Sequence, residues 1–339
     1  MPIATGLYTR NRSSRYMTNS VPGERSSPLI FVKTEVSSDP PGMKSLQSGV
    51  PDIQRALQAV GVDGVEIAVR GVSEDIGRNE EMLEELQKKA EPWIDEEMIV
   101  HPHPYTTGGA DPAAFTPTRK ETVRQAFEQV VTTANALKQT SDTPLALTYH
   151  PGSVTGEEQP DREELVERSS EFFAMADEVL ADFEDELRVV AETQLPASRD
   201  SATTRIGDVP EESIVMAENR QHVGVCWDTG HYILSSERLD SPTFPPSSLI
   251  QSVEHMHLHD VREGTDHQPP EPGDDRLSEA INAAATMGHL RSITLEYDYA
   301  KAVDDQEDVD GMLRYLEEVI SWIQEVSTSA STASIPDSN

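Results

Sequence analysis

Four short β-like runs in the second half of the chain, RVVAET, VGVCWD, HMHLHD and SITLEY, carry a candidate metal ligand at or near their ends: Glu192, Asp228, His257 and Glu296. Successive ligands are 36, 29 and 39 residues apart, about the length of one strand, helix and return. Side chains at the C-terminal ends of consecutive parallel strands converge on one mouth, where barrel enzymes do their chemistry. Three carboxylates and one imidazole suit a single divalent ion: Mn²⁺, Mg²⁺, Co²⁺ or Zn²⁺. A lone acid after a strand is ordinarily a salt-bridged loop residue. Four at matching positions of consecutive apolar units are expected to share a cation, since buried acids need such a partner.

Further polar groups cluster around these positions. In DTGH (Asp228 to His231) the histidine is expected to ligate or to hydrogen-bond a substrate oxygen. The plainer alternative is a helix-capping Asp with a surface His, but VGVCW is apolar enough to be buried, which brings both groups out at the mouth. His255, His257 and His259 alternate and so share one face of a strand; one is expected to ligate, with His259 or Asp260 supporting it. HPHPY and YHPGS place His101, His103 and His150 at two further strand ends, as pocket lining or a second metal position. The sequence does not separate His101 from His103. His267, in the Pro-rich DHQPPEPGDD, is placed to swing over the site. Arg262 is a candidate for a phosphate or carboxylate, against the plainer reading of a surface ion pair.

The elements that must position these residues repeat at a regular pitch. Apolar, β-branched runs begin at Leu29, Gly64, Met98, Leu145, Arg188, Val223, His255 and Ser292. Most are apolar on both faces, as strands of a buried parallel sheet are. Between them Val123, Phe127, Val130, Ala134 and Leu137 recur at helical spacing, as do Val166, Phe173, Ala176 and Leu180, and Met312, Leu316, Val319 and Ile323. Thr118 and Asp161 are candidate caps. The pattern predicts an α/β chain folded as a single (β/α)8 TIM barrel over residues 28–326. No G-x-G-x-x-G follows any strand, which weighs against a doubly wound dinucleotide fold. Residues 1–27 read as a flexible arm and 327–339 as a disordered polar tail.

Composition limits the partners. The 339 residues carry 61 Asp+Glu against 27 Lys+Arg, a formal charge of −34, and only 7 of the basic residues are Lys. Acids spread along every expected helix point to a protein working in concentrated salt, where screening weakens self-repulsion. Such a surface disfavours nucleic acid and anionic lipid. No apolar stretch is long enough to span a membrane, and the arm has no signal-peptide core, so a cytoplasmic location is expected. Cys226 is the single cysteine, which excludes an internal disulfide and a Cys-rich metal cluster. The sequence specifies no oligomeric state.

Taken together, VDGVEIAV, YHPGS, Glu192 in VVAET, GVCWDTGH, MHLHD with the trailing His267, and Glu296 in ITLEY resemble the xylose-isomerase-like TIM-barrel superfamily over roughly residues 28–325. That superfamily holds sugar isomerases and epimerases and the endonuclease IV type of abasic-site nuclease. The resemblance implies one divalent ion on Glu192, Asp228, His257 and Glu296, with His231 contacting a carbohydrate substrate. It also implies that Glu192 and Glu296 shuttle a proton through an enediolate. His150, His103, Glu66, Arg262 and His267 complete the expected substrate-binding set, Glu66 matching the family's second-strand acid, a structural or pocket-lining one. The alternative is a multi-zinc nuclease using His101 or His103, His150 and His267. Against it, Thr265 stands where the nuclease loop carries Asp, TQLPASRDSATTR lacks its Gly-rich run, and no basic patch is evident. A barrel that binds without catalysis is a third reading, which nothing in the sequence favours.

Overall fold

The eight apolar runs become eight parallel strands of one sheet. The computed structural model describes residues 27–35, 53–138, 145–156, 159–183, 187–197, 202–242, 244–287, 289–298, 301–302 and 308–333. The barrel strands are β1 (Leu29–Glu35), β2 (Gly64–Val72), β3 (Ile99–Thr106), β4 (Leu145–Tyr149), β6 (Leu187–Glu192), β8 (Val223–Asp228), β9 (Val253–Leu258) and β12 (Ser292–Leu295). They pair in the order β3-β2-β1-β12-β9-β8-β6-β4, every ladder parallel. β3 and β4 lie side by side without a ladder, so the barrel is nearly closed. Burial on both faces explains the continuous apolar runs: every residue of β4 and of β8 is buried.

Two small antiparallel ladders decorate the C-terminal mouth, and the sequence pattern did not announce either. One joins β5 (Ser153–Thr155) to β7 (Thr203–Arg205), tying the loop after β4 to the loop after β6. The other is the hairpin of β10 (Asp260–Arg262) and β11 (Thr265–Gln268), which follows β9.

The helices pack their expected faces on the sheet. The Lys120–Leu137 helix buries Val123, Phe127, Val130, Ala134 and Leu137. Asp161 caps the Arg162–Leu180 helix, its carboxylate accepting from the Glu164 N–H at 2.9 Å. Thr118 caps nothing. Its helix begins at Lys120 behind Arg119, because the Thr116 carbonyl already takes the Arg119 and Lys120 N–H groups in a preceding turn, and the Thr118 hydroxyl pairs with Thr116.

The last helix, Val309–Ala333, runs through the start of the expected polar tail at residue 327. Ser327, Thr328 and Ser329 donate their hydroxyls to the carbonyls four residues back, Ile323, Gln324 and Glu325, at 2.7–2.8 Å. That bond satisfies a helical Ser or Thr without leaving the helix. Residues 334–339, and the expected arm apart from Ser27, lie outside the described residues. Among the described residues no helix is long and apolar enough to cross a membrane.

Candidate metal centre and the pocket above it

Strand register brings the four expected ligands together. Glu192 ends β6, Asp228 ends β8 and pairs in register with His257 of β9, and Glu296 follows β12 directly. One atom from each lies within 4.8 Å of the others, and all four residues are buried. His257 Nδ1 stands 2.6 Å from Glu296 Oε2, 3.6 Å from Glu192 Oε1 and 3.7 Å from Asp228 Oδ2. Glu192 Oε2, Asp228 Oδ2, His257 Nδ1 and Glu296 Oε2 are all buried without a hydrogen-bond partner. Four such atoms converging from four strands fit a divalent cation.

The charges around these atoms suit that reading. Burial pushes the Glu192 and Glu296 carboxyls up, but His150 beside Glu192, and Lys33 and His257 beside Glu296, hold both well below the usual carboxylate range. Asp228 is likewise held low by His231 and His259 against the effect of burial. The three acids are therefore ionised, as ligands must be.

A second layer holds the ligands from behind. Glu66, fully buried on β2, takes hydrogen bonds from His255 Nε2 (3.0 Å), His257 Nε2 (3.2 Å) and the Thr294 hydroxyl (3.0 Å), with His103 Nδ1 at 3.0 Å. Its bond to His257 Nε2 leaves Nδ1 of that ring free to face the ligand group, the usual way a carboxylate orients a ligating imidazole. Asp228 is fixed twice. Its Oδ1 caps the next helix by accepting the His231 N–H at 2.7 Å, and it meets His259 Nε2 at 2.9 Å. The His267 N–H donates to His259 Nδ1 (2.9 Å), so the ring proton sits on Nε2 and points at Asp228. The capping alternative for Asp228 therefore holds together with the site role, since one oxygen caps and the other faces the group. The glycine of DTGH follows from the same packing, because a Cβ on Gly230 would lie 2.0 Å from the His259 ring.

Above the ligands opens a cavity of about 350 Å³, within the range of small-molecule sites. His150, His231, His267 and Glu296 line it, as expected of the first three from sequence, together with Tyr105, Gln194, Arg70 and Arg205. His150 Nε2 and His231 Nδ1 stand 3.1 and 3.3 Å from Glu192, on its cavity side. His267 Nε2 lies 3.5 Å from Glu296, and its backbone is held in the left-handed region at φ 50°.

Three expected pocket residues lie elsewhere. Glu66 belongs to the layer behind the ligands. His103 lies between the two layers, with Nδ1 on Glu66 and Nε2 3.3 Å from Glu192. Arg262 is tied down in the β10–β11 hairpin by Asp260, Glu271 and the Pro269 carbonyl. His101, the residue not separable from His103 by sequence, packs on Phe31 with ring centroids 4.1 Å apart, and both its nitrogens lack partners.

Sequence reasoning missed Lys33. It is buried in the C-terminal half of β1, its ammonium on Glu296 and 3.7 Å from Glu66. The available signal was a lone lysine in LIFVK, at the height where other strands present acids; the register pairs Lys33 with Glu66.

Comparison with known proteins agrees with this geometry. The family model described as xylose isomerase-like TIM barrel matches residues 54–325. The chain belongs to that family. Among solved structures, this xylose isomerase-like barrel is similar to a D-tagatose 3-epimerase-like protein at 17% identity and TM-score 0.57, over 86% of this chain and 98% of the other. It is also similar to D-psicose 3-epimerase from Clostridium cellulolyticum H10, solved with D-tagatose (12%, TM-score 0.56, 88% and 99%). L-Ribulose 3-epimerase is a third (13%, TM-score 0.55, 92% and 100%). No curated protein sequence matches the chain. At such identities the likeness is one of fold.

Proposed function

We propose that the protein is a divalent-metal-dependent isomerase or epimerase of a sugar or sugar-like ketone. The observation that carries this is the set of four buried, unpartnered atoms of Glu192, Asp228, His257 and Glu296 beside a pocket that Glu296, His150 and His231 line, in a barrel whose solved likenesses include three sugar 3-epimerases or epimerase-like proteins.

Glu192, Asp228, His257 and Glu296 would hold the ion. When bound, it would polarise a carbonyl and its neighbouring hydroxyl and so acidify the C–H between them. Glu296, which lines the cavity, and Glu192, reached past His150 and His231, are two carboxylates kept ionised and so free to accept a proton. One takes the proton as the C–H electron pair moves into the carbon–carbon bond of an enediolate; the other returns a proton to that carbon or its neighbour. His231 and His267, which line the cavity, would bond substrate oxygens at the mouth. Lys33, on Glu296, fixes the direction of that carboxylate.

A second reading, a multi-zinc nuclease of the abasic-site type, draws on one feature. His103, His150 and Glu192 form one further group with metal-ligand spacing, and His231, His259 and His267 form another. Metal counting in purified protein separates the two. About one divalent ion per chain, with deuterium from D₂O entering a ketose next to its carbonyl, supports the isomerase. Glu296→Gln, assayed with enough metal to restore occupancy, should then lower turnover by roughly 10²–10⁴-fold. Two or three zinc ions per chain with cleavage of abasic DNA would replace the proposal by the nuclease, and unchanged turnover in Glu296→Gln would sink the role of Glu296.

A further inference from the structure

Among the described residues, three that line the pocket hold a buried polar atom without a hydrogen-bond partner: Glu296 Oε2, His267 Nε2 and Gln194 Nε2. The first belongs to the ligand group, and the second faces Glu296. Proton transfer at the ion leaves the third without a task. A buried amide is costly to keep unpaired, and a native one ordinarily has a reason.

Gln194 is placed by the strand that carries Glu192. The Thr193 N–H bonds the Cys226 carbonyl at 3.0 Å, which continues the β6–β8 ladder one residue past the strand. Alternate residues of an extended chain share a side, so Gln194 stands on the side of Glu192, roughly 6–7 Å further out toward the mouth. Its backbone is spent: the N–H donates to the Gly207 carbonyl at 2.8 Å, and the carbonyl takes the Ser235 hydroxyl at 3.1 Å. Gly207 has φ +90°, and a Cβ there would stand 2.9 Å from the Pro151 ring. Arg205 ties down the next residue by donating to the Leu195 carbonyl at 2.9 Å. The main chain is thus fixed while the carboxamide stays open, and the broad last torsion of Gln lets it present either atom.

Asp111 brings an acceptor to the same pocket. It is buried, and its Oδ1 accepts from the Ala113 and Ser153 N–H groups at 2.9 and 3.0 Å, which leaves Oδ2 unspent among the described residues. Ser153 stands opposite Arg205 in the β5–β7 ladder, so one small ladder joins the Asp111 end of the wall to the Gln194 end. The glycine of YHPGS lets that ladder pass: Gly152 has φ +120°, and a Cβ there would stand 2.4 Å from Asp111 Oδ1. Burial lifts the carboxyl to about 7 against the two N–H groups that lower it, so near neutral pH it takes a hydrogen bond or gives one.

We propose that Gln194 and Asp111 are specificity-determining residues that bond substrate hydroxyls remote from the reacting carbon, so that the substrate is a polyhydroxy ketone extending at least two carbons beyond it. The inference rests on the isomerase reading and deepens it. A hydroxyl both gives and takes a hydrogen bond, which suits a wall that pairs a carboxamide with a carboxyl. A site built on such groups discriminates against a substrate that lacks the hydroxyl, because its own polar atoms then stay unpaired.

The test compares D-tagatose with L-erythrulose, which ends one carbon past the reacting position, as substrates for the metal-loaded wild type, Gln194→Met and Asp111→Asn. Deuterium incorporation from D₂O reads turnover. Calorimetry with galactitol and glycerol, polyols without a carbonyl, reads the wall without turnover. Asp111→Asn keeps an oxygen for the Ala113 and Ser153 N–H groups, and thermal melts confirm that each variant folds. Each substitution should lower kcat/KM for D-tagatose by roughly 5–10-fold, mostly through KM, while changing that for L-erythrulose less than about twofold. Galactitol should bind the wild type more tightly than glycerol does, and bind both variants at least about fivefold more weakly.

Equal penalties for the two ketoses, or none for either, overturn the specificity role and leave the isomerase reading standing. Galactitol binding that depends on both residues, with no exchange into either ketose, keeps the hydroxyl-binding wall and removes the isomerase. Galactitol binding that ignores both substitutions, or fails outright, overturns the wall.

Discussion

Two layers of the barrel mouth, a few ångströms apart, are built from the same residue types and treated in opposite ways. In the deeper layer Glu66 is satisfied: His255, His257 and Thr294 bond to it, His103 abuts it, and Lys33 neutralises it. In the layer above, Glu192, Asp228, His257 and Glu296 each leave a buried polar atom unpartnered. A closed network of buried charges serves as structure, and an open one of the same composition is suited to take up a ligand. His257 belongs to both, Nε2 bonded below and Nδ1 open above, so the deeper layer aims the upper one.

The largest expected effect comes from breaking the closed layer. Glu66→Leu strands three buried histidine N–H groups, the Thr294 hydroxyl and part of the Lys33 charge, and should cost roughly 3–5 kcal/mol of stability, read by urea unfolding of the metal-free protein. Glu192→Gln in the open layer should cost the metal-free protein less than Glu66→Leu, because the amide keeps the side chain's shape and hydrogen-bonding capacity and loses only the attraction of the neighbouring histidines that holds the carboxylate ionised. Its penalty falls on the ion, whose affinity should drop by at least about 100-fold, the upper range for losing mere support of a ligand. Equal stability losses in the two variants would erase the distinction between the layers.

The contrast also shows which features a sequence exposes. The convergence of Glu192, Asp228, His257 and Glu296 was legible because each stands at or near the end of a buried strand that has no other reason to carry an acid or imidazole there, and strand ends converge whatever the details of the barrel. The depth of Glu66 was not legible. It depends on stagger between strands, which places Glu66 opposite Lys33 on one side and His101 on the other, and nothing local in VDGVEIAV encodes that stagger. Arg205 was still less visible. Its place follows from a ladder between segments 48 residues apart, Thr155 with Thr203 at its far end, and three-residue strands carry no periodicity. The end of the last helix was misjudged for a local reason, since Ser and Thr that bond back to carbonyls look like linker in composition alone.

The open layer should announce itself through pH. His231 is desolvated, which lowers its pKa, but Asp228 and Glu192 beside it raise it from 6.5 to about 9. A folded-state pKa above the unfolded one contributes stability that is complete below pH 6.5 and is lost as pH rises to about 9. The shift is worth roughly 3 kcal/mol at 1.36 kcal/mol per unit. His257, raised for the same kind of reason, acts in the same direction. Metal-free protein should therefore lose stability between pH 6.5 and 9. A bound divalent ion supplies the missing positive charge in place of those protons, so the saturated protein should stay nearly flat across the window. Melts at pH 6, 7.5 and 9, with chelator and with Mn²⁺, check both halves. Metal-free stability that holds steady or climbs over that range would break the link between the orphaned atoms and the histidine charges.

The smallest effect belongs to a residue outside both layers. His101 is buried against Phe31, neither ring nitrogen has a hydrogen-bond partner, and burial, with His255 adding to it, pushes its pKa down to about 3. Neither the closed network nor the open site uses it. An imidazole neutral when folded but protonated when unfolded costs stability below pH 6.5, with a slope approaching 1.4 kcal/mol per pH unit, opposite in direction to His231. His101→Leu removes that slope and exchanges two unsatisfied polar atoms for an apolar side chain on an aromatic neighbour. At pH 7 the variant should match or exceed the wild type by up to about 1 kcal/mol, with metal content unchanged. Between pH 6.5 and 5 its advantage should widen. A clear loss of metal in His101→Leu would place His101 in the site after all and extend the open layer one residue deeper along β3.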